Sequence, residues 1–271
     1  MTSAENTAAA LTAQLEKTWA SIDLLCRGLA AEEWLTLTAC PGWTVADQLA
    51  HIVGTESMLA GEPTPKEEAA DLAAHVHNDI GRLNERWVTE LRRCGPTELL
   101  EEFRRITTHR LEALRSLTDA QWEEPSWTPV GQADYRRFMQ IRVFDSWVHE
   151  QDIRSAVGRP GHGAGPAAEQ AIDEIERALG YVIGKRAGAP DASSVTIDLI
   201  GPVFRSIHVV VDGRAAVVAA LPETADVTIR LGSDTFAALA CGRVDPAEVA
   251  VAIEGDEELG RRITTNLAFT I

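Results

Sequence analysis

A chain of 271 residues, 45% apolar and 24% charged, has the makeup of a globular protein with one large or two ordinary domains. Its 41 acidic against 25 basic residues leave a formal charge of −16, and no basic face is visible in the sequence. That balance excludes nucleic acid and anionic membrane surfaces as partners, since both demand clustered lysine and arginine, and it fits a protein that handles a small molecule.

The N-terminal stretch, MTSAENTAAALTAQLEKTW, has neither a basic start nor an apolar core, so no signal peptide is expected. No window approaches 18 uninterrupted apolar residues. Cys26, Cys40, Cys94 and Cys241 are scattered and form no C-x-x-C pair, the pattern of reduced thiols, so the expected compartment is the cytoplasm.

In chain order, Leu11, Leu15, Ile22, Leu25 and Leu29 give a helical stripe over residues 4–29. Cys40-Pro41-Gly42 reads as a turn that delivers Trp43. Thr44 through Asp47 then resembles a capping box, with a hydroxyl for the orphan amides and a carboxylate at the positive helix end. The helix so started runs to about residue 59 and carries His51 at the edge of the stripe of Val45, Leu49, Ile52 and Leu59. A charged helical stretch is expected over residues 65–93, a further helix over 97–117, and a loop rich in Trp and Pro over 122–129.

The helix expected over residues 134–157 carries the most chemistry. At about 100° per residue, Asp145 and His149 fall about 40° apart, one turn above each other. Arg142 and Asp152 extend that face, and Phe138, Ile141 and Val148 share it, so the polar groups lie inside an apolar stripe. A carboxylate and an imidazole at this spacing can close on one ion, and His51 is the candidate third donor. Two nitrogens and one oxygen suit Zn²⁺ with an open fourth position, other borderline divalent ions remain eligible, and Asp152 or Glu150 would orient an imidazole. The bland alternative is an Arg142–Asp145 pair beside a hydrogen-bonded core histidine, since such pairs are ordinary on helices.

Beyond the break at Gly158-Arg159-Pro160-Gly161 the pattern changes. Residues 166–185 read as a helix belonging either to the bundle or to a bridge. Four β-type runs follow, at 195–200, 206–211, 215–220 and 226–231, with a hairpin signal at Asp212-Gly213. Helices near 233–241 and 257–267 close the chain. The expected class is therefore α+β: a helix bundle over residues 1–160, a bridging helix and linker over 161–190, and a small domain with an antiparallel sheet over 191–271.

Three stretches carry a family resemblance: Cys40-Pro-Gly-Trp-Thr-Val-Ala-Asp-Gln-Leu-Ala-His51; Arg142-Val-Phe-Asp-Ser-Trp-Val-His149-Glu-Gln-Asp-Ile-Arg154; and the tail from Gly255-Asp256 through Asn266 to Ile271. Together they resemble the mycothiol-dependent maleylpyruvate isomerase family. The resemblance implies an antiparallel four-helix bundle of DinB-like form followed by a sterol-carrier-like domain. It implies a divalent metal, usually zinc, held by His51, Asp145 and His149, with Asp145 standing where the best-known members have Glu. It also implies mycothiol as the thiol cofactor and a small electrophile as substrate. A thiolate is the nucleophile: added to an activated C=C bond and later expelled it gives an isomerase, and stopping after addition or displacement gives an S-transferase. The same residues with water would make a hydrolase. A non-catalytic metal- or ligand-binding protein is the alternative from another class, marked by a fourth protein ligand such as Cys40 or Asp152.

Overall fold

The computed structural model describes residues 6–66 and 75–270 and divides into two compact units, Met1–His162 and Gly163–Ile271. The first is helical. Helix α1 (Ala8–Arg27) begins where the Thr7 hydroxyl accepts from the Ala10 amide, inside the expected range; residues 4 and 5 lie outside the described ones. Helix α2 (Val45–Leu59) begins at the capping box read from the sequence, complete in both directions. Of the helical stretch expected over 65–93, residues 67–74 also lie outside the described ones. In the remainder, α3 (Asp79–Leu91) starts at Asn78, whose side chain accepts from the Gly81 amide at 2.8 Å.

Helix α4 (Pro96–Ser116) has proline in its first turn, where a missing N–H costs nothing. The expected Trp/Pro loop is replaced by a short α5 (Asp119–Trp122) and a hairpin of β1 (Pro125–Thr128) and β2 (Gly131–Asp134). Gly131, at φ +103°, supplies the left-handed turn residue, and the Thr128 hydroxyl donates to the Gly131 carbonyl across the turn. Helix α6 (Tyr135–Ala156) follows directly. Helix α1 packs on α4 and α6, and α2 packs on α4, α6 and α3. Leu11, Leu15, Ile22, Leu49, Ile52, Ile106, Leu114 and Met139 fill the shared interior. Gly54 permits the close approach of α2 and α3, since a Cβ there would meet that of Trp87 at 2.4 Å.

The second unit is a sheet with helices on one face. Residues 161–190 do not stand apart: helix α7 (Pro166–Tyr181) and the π-turn Val182–Arg186 lie against the sheet's first edge and are counted with this unit. The strands are β3 (Ser194–Ile200), β4 (Arg205–Asp212), β5 (Arg214–Val218), β6 (Val227–Gly232) and β7 (Ala252–Gly255). Helices α8 (Ser233–Ala240) and α9 (Glu257–Thr265) interleave with the last two. The spatial order is β5-β4-β3-β6-β7.

The expectation of an antiparallel sheet needs correction, because β3 and β6 pair in parallel, Ile197 opposite Ile229. The β3–β4–β5 meander grows away from one edge of β3, and the chain returns over residues 219–226 to the other edge. A returning connection of that kind, unlike a hairpin, can deliver a parallel strand. Val195, Ile197, Leu199, Ile207, Val209, Val227, Ile229 and Leu231 are all buried, while the alternate residues Asp198, Ser206, His208 and Arg230 are not, the signature of a sheet covered on one face. No helix among the described residues is long and apolar enough to cross a membrane.

Candidate metal centre

The loop before α2 is built to place an indole. Cys40-Pro41-Gly42-Trp43 closes a turn in which the Trp43 amide donates to the Cys40 carbonyl at 3.1 Å. Pro41 and Gly42, at φ +76°, occupy the positions that favour proline and a left-handed residue. Thr38 and Trp43 pair through their backbones, and Leu37 bridges to Thr44. Trp43 is thereby held with its Nε1 donating to Glu85 of α3 at 3.0 Å. Glu85 in turn accepts from Arg92, which also holds the capping carboxylate of Asp47.

Helices α2 and α6 then bring together the three residues expected from the sequence. His51 Nε2 lies 3.3 and 3.4 Å from the two Asp145 oxygens, and His149 Nε2 lies 3.6 Å from Asp145 Oδ1. The imidazole centroids are 4.6 Å apart, and the Trp43 ring leans over both at 5.2 and 6.0 Å. Among the described residues this is the one group of three ligand-type side chains whose donor atoms all lie within 4.8 Å of one another. Both histidines are buried, whereas the Asp145 side chain keeps 26% of its exposure, so the cluster has one accessible side.

The donor set fits a divalent ion. Nitrogen and oxygen ligands about 2.0–2.1 Å from a tetrahedral centre are separated by roughly 3.3–3.4 Å along its edges, close to the spacings found here. His149 Nδ1 lies 2.5 Å from Gln48 Oε1 and 3.2 Å from Asp152 Oδ2, leaving its Nε2 to the cluster. His51 Nδ1 is buried without a hydrogen-bond partner.

The electrostatics favour a carboxylate beside two imidazoles of unlike basicity. Burial alone would raise the pKa of Asp145; Arg142 and the two histidines outweigh it and hold the carboxyl well below the usual range. Burial pushes the His51 imidazole down, against the pull of Asp145. Burial works in the same direction at His149, but Asp145 and Asp152 together overcome it and raise its pKa.

The second layer divides differently from the sequence expectation. Asp152 does reach His149, but Glu150 faces away and binds Ser21, Arg154 and His162. Arg142 is buried, gripping Asp145 Oδ2 at 2.5 Å and Glu56 at 2.8 Å, and Glu56 also accepts from Arg110. His75 meets Glu85 at 3.2 Å, while His77 is exposed. Cys40 does not join the donor cluster. Gln48, Glu56 and Glu85 were not singled out from the sequence; their only signal is a polar residue on an otherwise apolar helix face, which names no partner.

Comparison with known proteins agrees along the chain. Residues 15–154 match the family model described as mycothiol maleylpyruvate isomerase N-terminal domain, and residues 169–262 match the MDMPI C-terminal domain. Uncharacterized proteins of two Mycobacterium tuberculosis strains are 30% identical over 142 residues, 51% of this chain and 52% of theirs, so the chain spans about half the length of the curated relatives it matches. The crystal structure of the mycothiol-dependent maleylpyruvate isomerase superposes with a TM-score of 0.57 at 16% identity, over 92% of this chain and 93% of that one. A mutant of that enzyme gives 0.52 at 15% identity with the same coverage, and at such identities the likeness speaks for the fold alone. On the strength of the two matched domain models in the expected order, the chain belongs to the mycothiol maleylpyruvate isomerase family.

Proposed function

We propose that this chain is a divalent-metal-dependent isomerase or S-transferase that uses a mycothiol-type thiol on a small electrophilic substrate. The observation that carries the reading is the convergence of two buried imidazole nitrogens and a partly exposed carboxylate at the spacing of ligands around one ion. His51, Asp145 and His149 would hold the ion, zinc being one that this donor set suits. A metal bound there supplies Lewis acidity, which lowers the pKa of a thiol brought to it. Mycothiol as that thiol, and maleylpyruvate-like compounds as substrates, come from family membership.

The surrounding residues have separable jobs. Arg142 holds one Asp145 oxygen and leaves the other to face His149. Trp43 covers the two imidazoles and keeps water from that side, and Glu85 anchors it. The exposed flank of Asp145 is the side from which thiol and substrate arrive.

The test is turnover of a cis-enedione or maleyl-type acid with and without added mycothiol. The reading expects cis–trans conversion or thioether formation that depends on the thiol and is lost in Asp145→Ala. Thiol-independent cleavage of such a substrate by water, with no isomer or thioether formed, would instead make the protein a metal hydrolase.

A further inference from the structure

His149 stands between two carboxylates. Asp145 lies 3.6 Å from its Nε2 and Asp152 lies 3.2 Å from its Nδ1. A neutral imidazole has one N–H, and only the nitrogen without it can donate a lone pair to an ion. The two carboxylates pull that proton toward opposite ends of the ring, and a third group adds to the pull on Nδ1.

That group is Gln48, which is wholly buried on α2. Its Oε1 lies 2.5 Å from His149 Nδ1, nearer than either carboxylate. A glutamine amide can present either its oxygen or its NH₂, so its orientation needs a cause. Here Gln48 Nε2 donates to the Thr38 hydroxyl at 2.6 Å, and that hydroxyl donates to the Trp43 carbonyl at 2.9 Å. The same hydroxyl oxygen also accepts from the Cys40 amide at 3.2 Å. Trp43 ends the chain, because a carbonyl can only accept. Turning the amide over would strip the carbonyl of the hydroxyl bond. It would also set an imidazole lone pair against the Asp152 carboxylate, so both constraints favour the same arrangement.

We propose that Gln48 and Thr38 are positioning residues of the site: a run of donors from His149 through Gln48 and Thr38 to the Trp43 carbonyl fixes the proton on His149 Nδ1 and keeps Nε2 free toward Asp145. The loop carrying the Trp43 turn thus acts on a ring that is 101 residues from Gln48 in sequence. The ring assignment stands whether or not an ion is held; only its effect on metal retention rests on the function proposed above.

The experiment compares the native chain with Gln48→Leu, Thr38→Val and Thr38→Ser, all of which keep close to the original volume. The ring-nitrogen shifts of His149 are read by ¹⁵N NMR in metal-free protein at a pH where the imidazole is neutral, and zinc retention is measured against a competing chelator. The native chain and Thr38→Ser are expected to show His149 protonated at Nδ1. Gln48→Leu, and to a smaller degree Thr38→Val, are expected to gain the Nε2-protonated form, because Asp145 then competes without opposition from Gln48. Loss of an orienting partner lowers metal affinity by about 10–100-fold, and Gln48→Leu should fall in that range, near its lower end because Asp152 remains. An unchanged His149 spectrum in Gln48→Leu overturns the proposal, whatever happens to zinc. A native chain that retains no zinc, combined with a shifted spectrum in Gln48→Leu, sinks the metal-dependent function and upholds the positioning role.

Discussion

At the scale of single residues, the site is stabilised by how its charges are shared. Asp145 is never a lone carboxylate: Arg142 holds one oxygen, and Arg142 is itself held by Glu56, which is fully buried and also grips Arg110. One carboxylate serving two buried guanidiniums is a point where a small change is costly. Glu56→Gln keeps the shape and removes the charge, leaving Arg110 without the Glu56 carboxylate and Arg142 with Asp145 alone in a low-dielectric interior. Breaking such an arrangement costs about 3–5 kcal/mol. Urea unfolding of the metal-free variant should show that loss as a lower midpoint with an unchanged slope. A loss under about 1 kcal/mol would mean that the buried network carries little of the bundle's stability. None of this was legible in the sequence, where Glu56 is one acidic residue among many and its partners lie 54 and 86 positions away.

At the scale of elements, legibility followed the range of the interaction. The Thr44–Asp47 capping box and the Asp145–His149 spacing are local, and both were read from a few adjacent residues. The β1–β2 hairpin reads as a loop in the sequence because Pro125 and Pro129 look like breakers, whereas Pro129-Val130 form the two-residue turn between Thr128 and Gly131. Strand β7 is four residues long and pairs only with β6, too short for an alternation to stand out. The period-2 pattern of β3 and β6 identified strands and the buried face, but it carries no information on direction, so their parallel pairing came as a correction.

The start of that pair has a testable latch. Asp226 accepts from both the amide and the hydroxyl of Ser194, each at 2.7 Å, and these bonds hold its carboxyl below the ordinary value. A folded-state pKa below the unfolded one means that the unfolded chain binds more protons between the two. The contribution is complete above the unfolded pKa and is lost as pH falls through the folded one. In Ser194→Ala the Asp226 carboxyl should titrate at higher pH by NMR, with the acid limb of the stability curve moved the same way. An unchanged Asp226 titration would show that the latch does not bind the charged form preferentially.

At the scale of the whole molecule, residues 15–154 and 169–262 match two domain models of one family in chain order. Composition and charge limited the class, and local periodicity placed the helices. Two of the expected donors, Asp145 and His149, share one helix turn and could be named from spacing, while the assignment of His51 as the third rested on the family resemblance of the stretch Cys40 to His51. The groups that orient those donors were hidden, since Gln48 and His149 meet only when α2 and α6 pack.

The proposed metal centre is one divalent ion held by His51, Asp145 and His149. It is tested most directly by elemental mass spectrometry of the native chain and of His51→Ala, both purified without chelator or a polyhistidine tag. Near-stoichiometric metal, chiefly zinc, is expected in the first and little in the second, with both folded. No metal in the native chain, and none retained when zinc is added to the folded protein, would contradict it and leave Asp145 and His149 as a packed polar pair.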